Sequence, residues 1–163
     1  MNRINEFVID IVLKAVRVEL KYMVKVAWND NLSVGIELID QQHKEWIKHF
    51  NCVTESIESH KGALQTVKTL SFLIDYTELH FSTEEKSMLA NKYPHYKEHK
   101  KLHDELRYTL NNLVSEYRDE GPTNLLIDSV GTLMNNWLVK HIHEADKKFV
   151  DFVKENKIKI SEC

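Results

Sequence analysis

Glycine and proline are scarce, at four and two in 163 residues. A sandwich or barrel needs such residues at its many reversals, so their scarcity, with charged residues at 29%, points to long helices. Cysteine is nearly absent too. Cys52 and Cys163 form no Cys-x-x-Cys pair, which excludes a disulfide framework and makes a reducing compartment the default. Cys52 reads as a small residue of the core or its boundary. No stretch approaches the roughly 18 to 20 apolar residues of a membrane span, and no signal-peptide cleavage pattern is seen, so a cytoplasmic location is expected. Excess positive charge is also missing: the net charge is -3, the pI is near 6.3, and the Lys and Arg residues are scattered. That excludes the electrostatic footprint of a nucleic-acid binder.

What the chain does have is helical periodicity. Ile4, Phe7, Val8, Ile11, Val12, Ala15 and Val16 form an apolar stripe, so residues 1–24 are expected to be an amphipathic helical extension. That stripe is read as packing on the outside of the domain or as a surface for self-association or a protein partner. A second reading has translation beginning at Met23. Residues 28–35 are turn-rich and form a loop packed by Trp28. Helices are then expected over about 37–59, 63–89, 95–118 and from near Thr123, as N-cap, to about Lys154. Gly62, Tyr93-Pro94 and Gly121-Pro122 supply the breaks. Short connections imply an all-α, antiparallel up-down-up-down four-helix bundle over residues 25–157, with the extra N-terminal helix before it and a tail at 158–163.

The stripes carry the chemistry. On the first helix Ile36, Ile39, His43, Ile47, Phe50, Thr54 and Ile57 share a face, and on the second Leu70, Leu73, Thr77, His80 and Glu84. The third carries His99, His103, Leu106, Leu110 and Leu113. The fourth carries Leu126, Val130, Leu133, Trp137, His141, Ala145 and Phe149. His80 with Glu84, and His99 with His103, are i,i+4 claws at positions that call for apolar residues. Burying them bare would cost several kcal/mol per group. In the up-down topology the start of helices one and three meets the late part of helices two and four, so His43, His80, Glu84, His99, His103 and His141 converge.

Nitrogen and carboxylate donors without cysteine suit iron, manganese or zinc, and six or more donors exceed what one tetrahedral ion needs, so two metals are implied. Glu84 can bridge them through its two oxygens. A second bridge is needed, and Asp146 is a candidate. Its spacing of five from His141 places it about 140° around an ideal helix, so spacing does not select it over Glu144. His49, His60, His95 and His143 read as non-ligands, and Glu85 as a solvated group or one that supports a ligand.

Taken together, Ile39-Asp40-Gln41-Gln42-His43-Lys44, His80-Phe81-x-x-Glu84-Glu85, Tyr93-Pro94 followed by His99-x-x-x-His103, and Trp137-Leu138-x-x-His141-Ile142-x-x-x-Asp146 resemble the signature of the hemerythrin family, in particular its single-domain bacterial members. The resemblance covers about residues 25–155. It implies a non-haem di-iron centre with an oxo or hydroxo bridge. One iron would be held by His99, His103 and His141 and the other by His43 and His80, with Glu84 and Asp146 bridging. It implies that dioxygen binds reversibly at an open position on the second iron. Phe81, Trp137, Leu138 and Ile142 are then expected to form an apolar wall around that position, where polar substitutions speed autoxidation.

The expected function is therefore reversible dioxygen binding for storage or delivery, and not enzymatic turnover. The alternatives are a module sensing dioxygen or nitric oxide, and a di-iron oxidase or peroxidase. Against the latter, no histidine here has a glutamate three residues before it, the pairing that ferritin-like di-iron proteins use. The ligand set does not distinguish iron from manganese.

Overall fold

A computed structural model describes residues 25–59, 63–121, 123, 129 and 132–160, without the side chains of residues 57, 58, 63, 134 and 135. The expectations for residues 1–24, Cys163, His60, Gly62, Leu126 and Val130 lie outside that range. A short 3-10 turn, Asp30–Leu32, precedes α1, Glu37–Glu58. Then come α2, Ala63–Ala90, and α3, Tyr96–Glu120. The fourth helix, α4, has four successive stretches: Leu133–Leu138, Val139–His141, Ile142–Asp146 and Lys147–Glu155. Leu133–Leu138 and Ile142–Asp146 are π-helical, and the other two are α-helical.

Contacts between helices run in opposite senses along the two partners, which fixes the topology. From α1 to α2, His43 meets His80, Trp46 meets Thr77, and Ser56 meets Thr66. From α2 to α3, Glu85 meets His103 and Glu78 meets Arg107. From α3 to α4, His103 meets His141 and His99 meets Phe149. Trp46 against Trp137 and His43 against Asp146 return α4 to α1 and close the ring. The result is the antiparallel four-helix bundle, and no strand occurs among the described residues.

The boundaries follow local chemistry. Asp40 accepts from Ser33 Oγ (2.6 Å), Val34 N (2.8 Å) and Gly35 N (3.2 Å), tying the entry loop to the first turn of α1. Gly35 takes φ +78°, a left-handed conformation that a side chain would strain, so glycine is favoured at this corner. Trp28 is half-buried against the core, with Lys44 over its ring. Gly121, at φ +75°, stops α3 as expected. Thr123 donates its N–H to Gly121 O (3.0 Å).

Ile39, Ile47, Phe50, Leu70, Leu73, Leu106, Leu110 and Leu113 are buried as their stripes require. Cys52 departs from expectation. It is exposed, because Val53 takes the core position beside it. Among the described residues no helix is long and apolar enough to cross a membrane.

Candidate metal centre

At one end of the bundle the core turns polar. His43, His80, Glu84, His99, His103, His141 and Asp146 are all buried there, although they come from four helices. Two overlapping groups form. Glu84, His99, His103, His141 and Asp146 bring one donor atom each within 4.8 Å of the others, as do His43, His80, Glu84 and Asp146. The two carboxylates belong to both.

Asp146 shows why spacing alone was ambiguous. Ile142–Asp146 is a π-helical stretch, whose i→i+5 hydrogen bonding widens the turn and aligns positions five apart. Asp146 therefore lies under His141, with Oδ1 3.0 Å from His141 Nε2, and the ideal 140° offset does not apply. Glu144, three from His141, is exposed.

Metal–nitrogen bonds of about 2.1 Å, meeting at angles between square and tetrahedral, put neighbouring donor atoms about 3.0–3.4 Å apart. The spacings here match. His141 Nε2 is 3.3 Å from His99 Nε2 and 3.2 Å from His103 Nε2. Asp146 Oδ1 is 3.1 Å from His99 Nε2, and Glu84 Oε2 is 3.4 and 3.5 Å from His99 and His103 Nε2. Asp146 turns its other oxygen to the second group, with Oδ2 3.1 Å from His43 Nε2. Glu84 divides its oxygens less evenly, since Oε2 also lies 4.0 Å from His80 Nε2.

The same atoms fail to satisfy one another. Both oxygens of Glu84 and of Asp146, both ring nitrogens of His43, and His80 Nε2 are buried without a hydrogen-bond partner among the described residues. Several kcal/mol per group is at stake in such burial, and lone pairs converging from every side call for a cation. Burial lowers His80 to about 3, so its imidazole is neutral. Burial also lowers His141. It lowers His99 less than the negative charge of the facing Asp146 and Glu84 carboxylates raises it, to about 10. Burial raises the carboxyls of Glu84 and Asp146, but the surrounding histidines hold both below the ordinary range.

The outer edges of the rings differ in their partners. His103 Nδ1 lies 2.8 Å from Glu85 Oε1, and His80 Nδ1 lies 3.1 Å from Gln42 Oε1. Burial raises Glu85, and hydrogen bonds from His103 and Arg107 more than offset this, so it lies below the usual glutamate value.

Aromatic rings wall the cluster. Phe81 stacks on His103 (3.6 Å, 8°) and Trp137 on His141 (4.3 Å, 12°). Leu138 and Ile142 are buried beside them. Trp46 was missed by pattern reading. It is fully buried, 4.9 Å from His80 and edge-on to Phe81 (5.4 Å), with its N–H donated to Thr77 Oγ1 (3.0 Å). Its position three residues after His43 was the available signal.

The other described histidines stay out of the cluster. His95 precedes α3 as its N-cap residue and is exposed, His143 is exposed, and His49 packs on Phe72 and Tyr76.

The profile of the hemerythrin HHE cation binding domain matches residues 34–153. The chain belongs to the hemerythrin family. Among its relatives is a bacteriohemerythrin of Stenotrophomonas maltophilia, 32% identical over 136 residues, which cover 81% of this chain and 84% of that one. A myohemerythrin of Sipunculus nudus is 31% identical over 124 residues, covering 75% and 88%. A crystal structure of a hemerythrin leucine-to-tyrosine variant shares the fold, with a TM-score of 0.69 and 24% identity over 77% of this chain and 95% of that one. The hemerythrin match spans all seven converging residues.

Proposed function

We propose that this chain reversibly binds dioxygen at a pair of iron ions, with residues 25–157 as the functional unit and residues 1–24 as an extension to it. The observation that carries the reading is the overlap of the two donor groups. Glu84 and Asp146 belong to both, while three histidines serve one group and two serve the other. His99, His103 and His141 would hold one ion and His43 and His80 the other. The group with one histidine fewer leaves room for an external ligand. Two ferrous ions held by these residues would together supply the two electrons that dioxygen takes up on binding and returns on release.

The protein's part is to keep that place dry. A site that returns dioxygen unchanged must exclude water and protons, and the two-histidine half is the more enclosed. Two surface clefts of about 360 and 350 Å³ reach His99 and His141 on either side of Leu102 and Ala145. His43 and His80 line neither cleft and are fully buried, with Trp46 and Phe81 packed against His80. Phe81, Trp137, Leu138 and Ile142 supply apolar surface, and His80 is neutral rather than an acidic imidazolium. These features favour binding over turnover.

The test is an optical titration. Protein loaded anaerobically with two equivalents of ferrous iron is titrated with dioxygen and then degassed. A visible band that appears and disappears with the gas, at two irons per chain, is the expected result. A band that never forms, or one-way oxidation with consumption of dioxygen, overturns the carrier reading and leaves an oxidase in its place.

A further inference from the structure

Arg107 sits at the centre of an ionic strand that begins at a candidate ligand and ends at the surface. His103 Nδ1 donates to Glu85 Oε1 (2.8 Å), and Arg107 Nη1 donates to the same oxygen (2.8 Å). The guanidinium is fixed on its other edges. Nε and Nη2 fork onto Glu78 at 2.7 and 3.1 Å, and Nη1 also reaches Asp104 Oδ1 at 3.0 Å. Its plane lies over Phe81 (5.1 Å), the ring stacked on His103. A fork of five donors in one plane allows this arrangement, which a lysine could not reproduce.

Among the described residues nothing comparable serves the other half. His80 Nδ1 faces the neutral amide of Gln42, whose Nε2 turns to Thr83 Oγ1 at 3.4 Å. His103 therefore leans on a carboxylate paired with a guanidinium, whereas His80 leans on an amide dipole. Glu78, Glu85 and Asp104 are three carboxylates against the two cations Arg107 and Lys100, which leaves one net negative charge beside His103. A charged acceptor for Nδ1–H makes the opposite nitrogen a stronger donor to a metal and favours the higher oxidation state.

We propose that Glu85, held in place by Arg107, is a positioning residue that makes the three-histidine position the tighter and the more easily oxidised of the two. This rests on the di-iron reading above. Glu85 itself is not a ligand, because it follows Glu84 by one residue and is turned about 100° away on the helix. It acts through the orientation and donor strength of His103. Arg107, itself fixed by Glu78 and Asp104, holds that carboxylate oxygen aimed at His103 Nδ1.

The experiment is a chelator competition on the full chain loaded with ferrous iron, together with the midpoint potential and the melting temperature of the metal-free protein. Wild type is expected to lose its two ions in two steps. In Glu85→Gln the later step moves to roughly tenfold to hundredfold lower chelator concentration, the range found when the partner of a ligating histidine is removed. The earlier step stays in place, the midpoint potential rises, and the metal-free melting temperature is unchanged. Arg107→Gln moves the same step in the same direction by less, and Arg107→Lys restores only part of it. A wild-type competition curve in Glu85→Gln overturns the proposal. So does movement of both steps with a fall in metal-free melting temperature, which marks a structural role. Wild type that takes up fewer than two ions overturns the di-iron reading and this inference with it.

Discussion

The buried stripe of α2 begins in leucine and ends in a carboxylate. Leu70 and Leu73 share a core with Leu106, Leu110 and Leu113 at one end, while at the other Thr77 and His80 meet Trp46, and Glu84 meets His99 and His103. Each leucine taken from water stabilises the fold by about 1.5–3 kcal/mol, and it needs nothing else to do so. Each orphaned polar atom at the other end costs about 1–3 kcal/mol until something satisfies it. The bundle thus has one end that folds for its own sake and one that is held in readiness at the expense of the first.

The largest effect should come from filling the polar end. A ligand bound at a thousandfold its dissociation constant stabilises the folded state by about 4 kcal/mol, so two ions contribute roughly twice that. Calorimetry with and without ferrous iron under anaerobic conditions should show a large rise in melting temperature. Asp146→Ala, which removes a carboxylate common to both donor groups, should abolish that rise and bring iron uptake from two ions to none. An undiminished rise in the variant would show that the two groups do not share the residue.

The next effect should come from damaging the apolar end. Leu110→Ala removes a fully buried side chain and should cost about 2–5 kcal/mol in denaturant unfolding. Iron stoichiometry should remain at two, because no cluster residue touches the site of damage in sequence or on the helix face beyond His103, two turns away. Loss of iron at matched folded fraction would mean that the two ends are mechanically coupled.

A smaller change, with the opposite sign, should come from relieving the polar end. His43 has two buried ring nitrogens without hydrogen bonds, although Nε2 lies 3.1 Å from Asp146 Oδ2. His43→Leu should stabilise the metal-free protein by about 1–3 kcal/mol while leaving one ion bound. Equal or lower stability would show that the contact with Asp146 already compensates the burial.

The distinction between the ends also governs how much the sequence could show. Four helices, their order and six of the seven cluster residues follow from i,i+3 and i,i+4 spacing, because each helix reports its own face. Asp146 does not follow, since it depends on a widened turn that nothing in its residue types announces. Trp46, Gln42 and the Glu85–Arg107 pair were equally hidden as partners. Their roles exist only across helices, although His103 and Arg107 at i,i+4 opposite Glu78 and Glu85 at i,i+7 offered a usable hint. Cys52 failed for a simpler reason: a small residue at the edge of a stripe fits either side of the boundary.

The smallest effect should come from a histidine outside the cluster, six residues along α1 from His43. His49 packs against Phe72 (4.6 Å) and Tyr76 (5.1 Å). Burial there lowers its ionisation, while Glu45, 4.0 Å away, pulls the other way and loses. As pH falls below the ordinary value of 6.5, the unfolded chain takes up the proton before the folded one does. Unfolding is then favoured, so stability present above 6.5 is lost as pH falls from there through the lower folded value. Melting curves of iron-loaded protein between pH 7.5 and 5.5 should therefore fall slightly less for His49→Gln than for wild type, with iron stoichiometry equal in both. The same slope in both proteins would remove His49 from the account. A loss of iron in the variant would move it from the packed histidines to those that serve the metal centre.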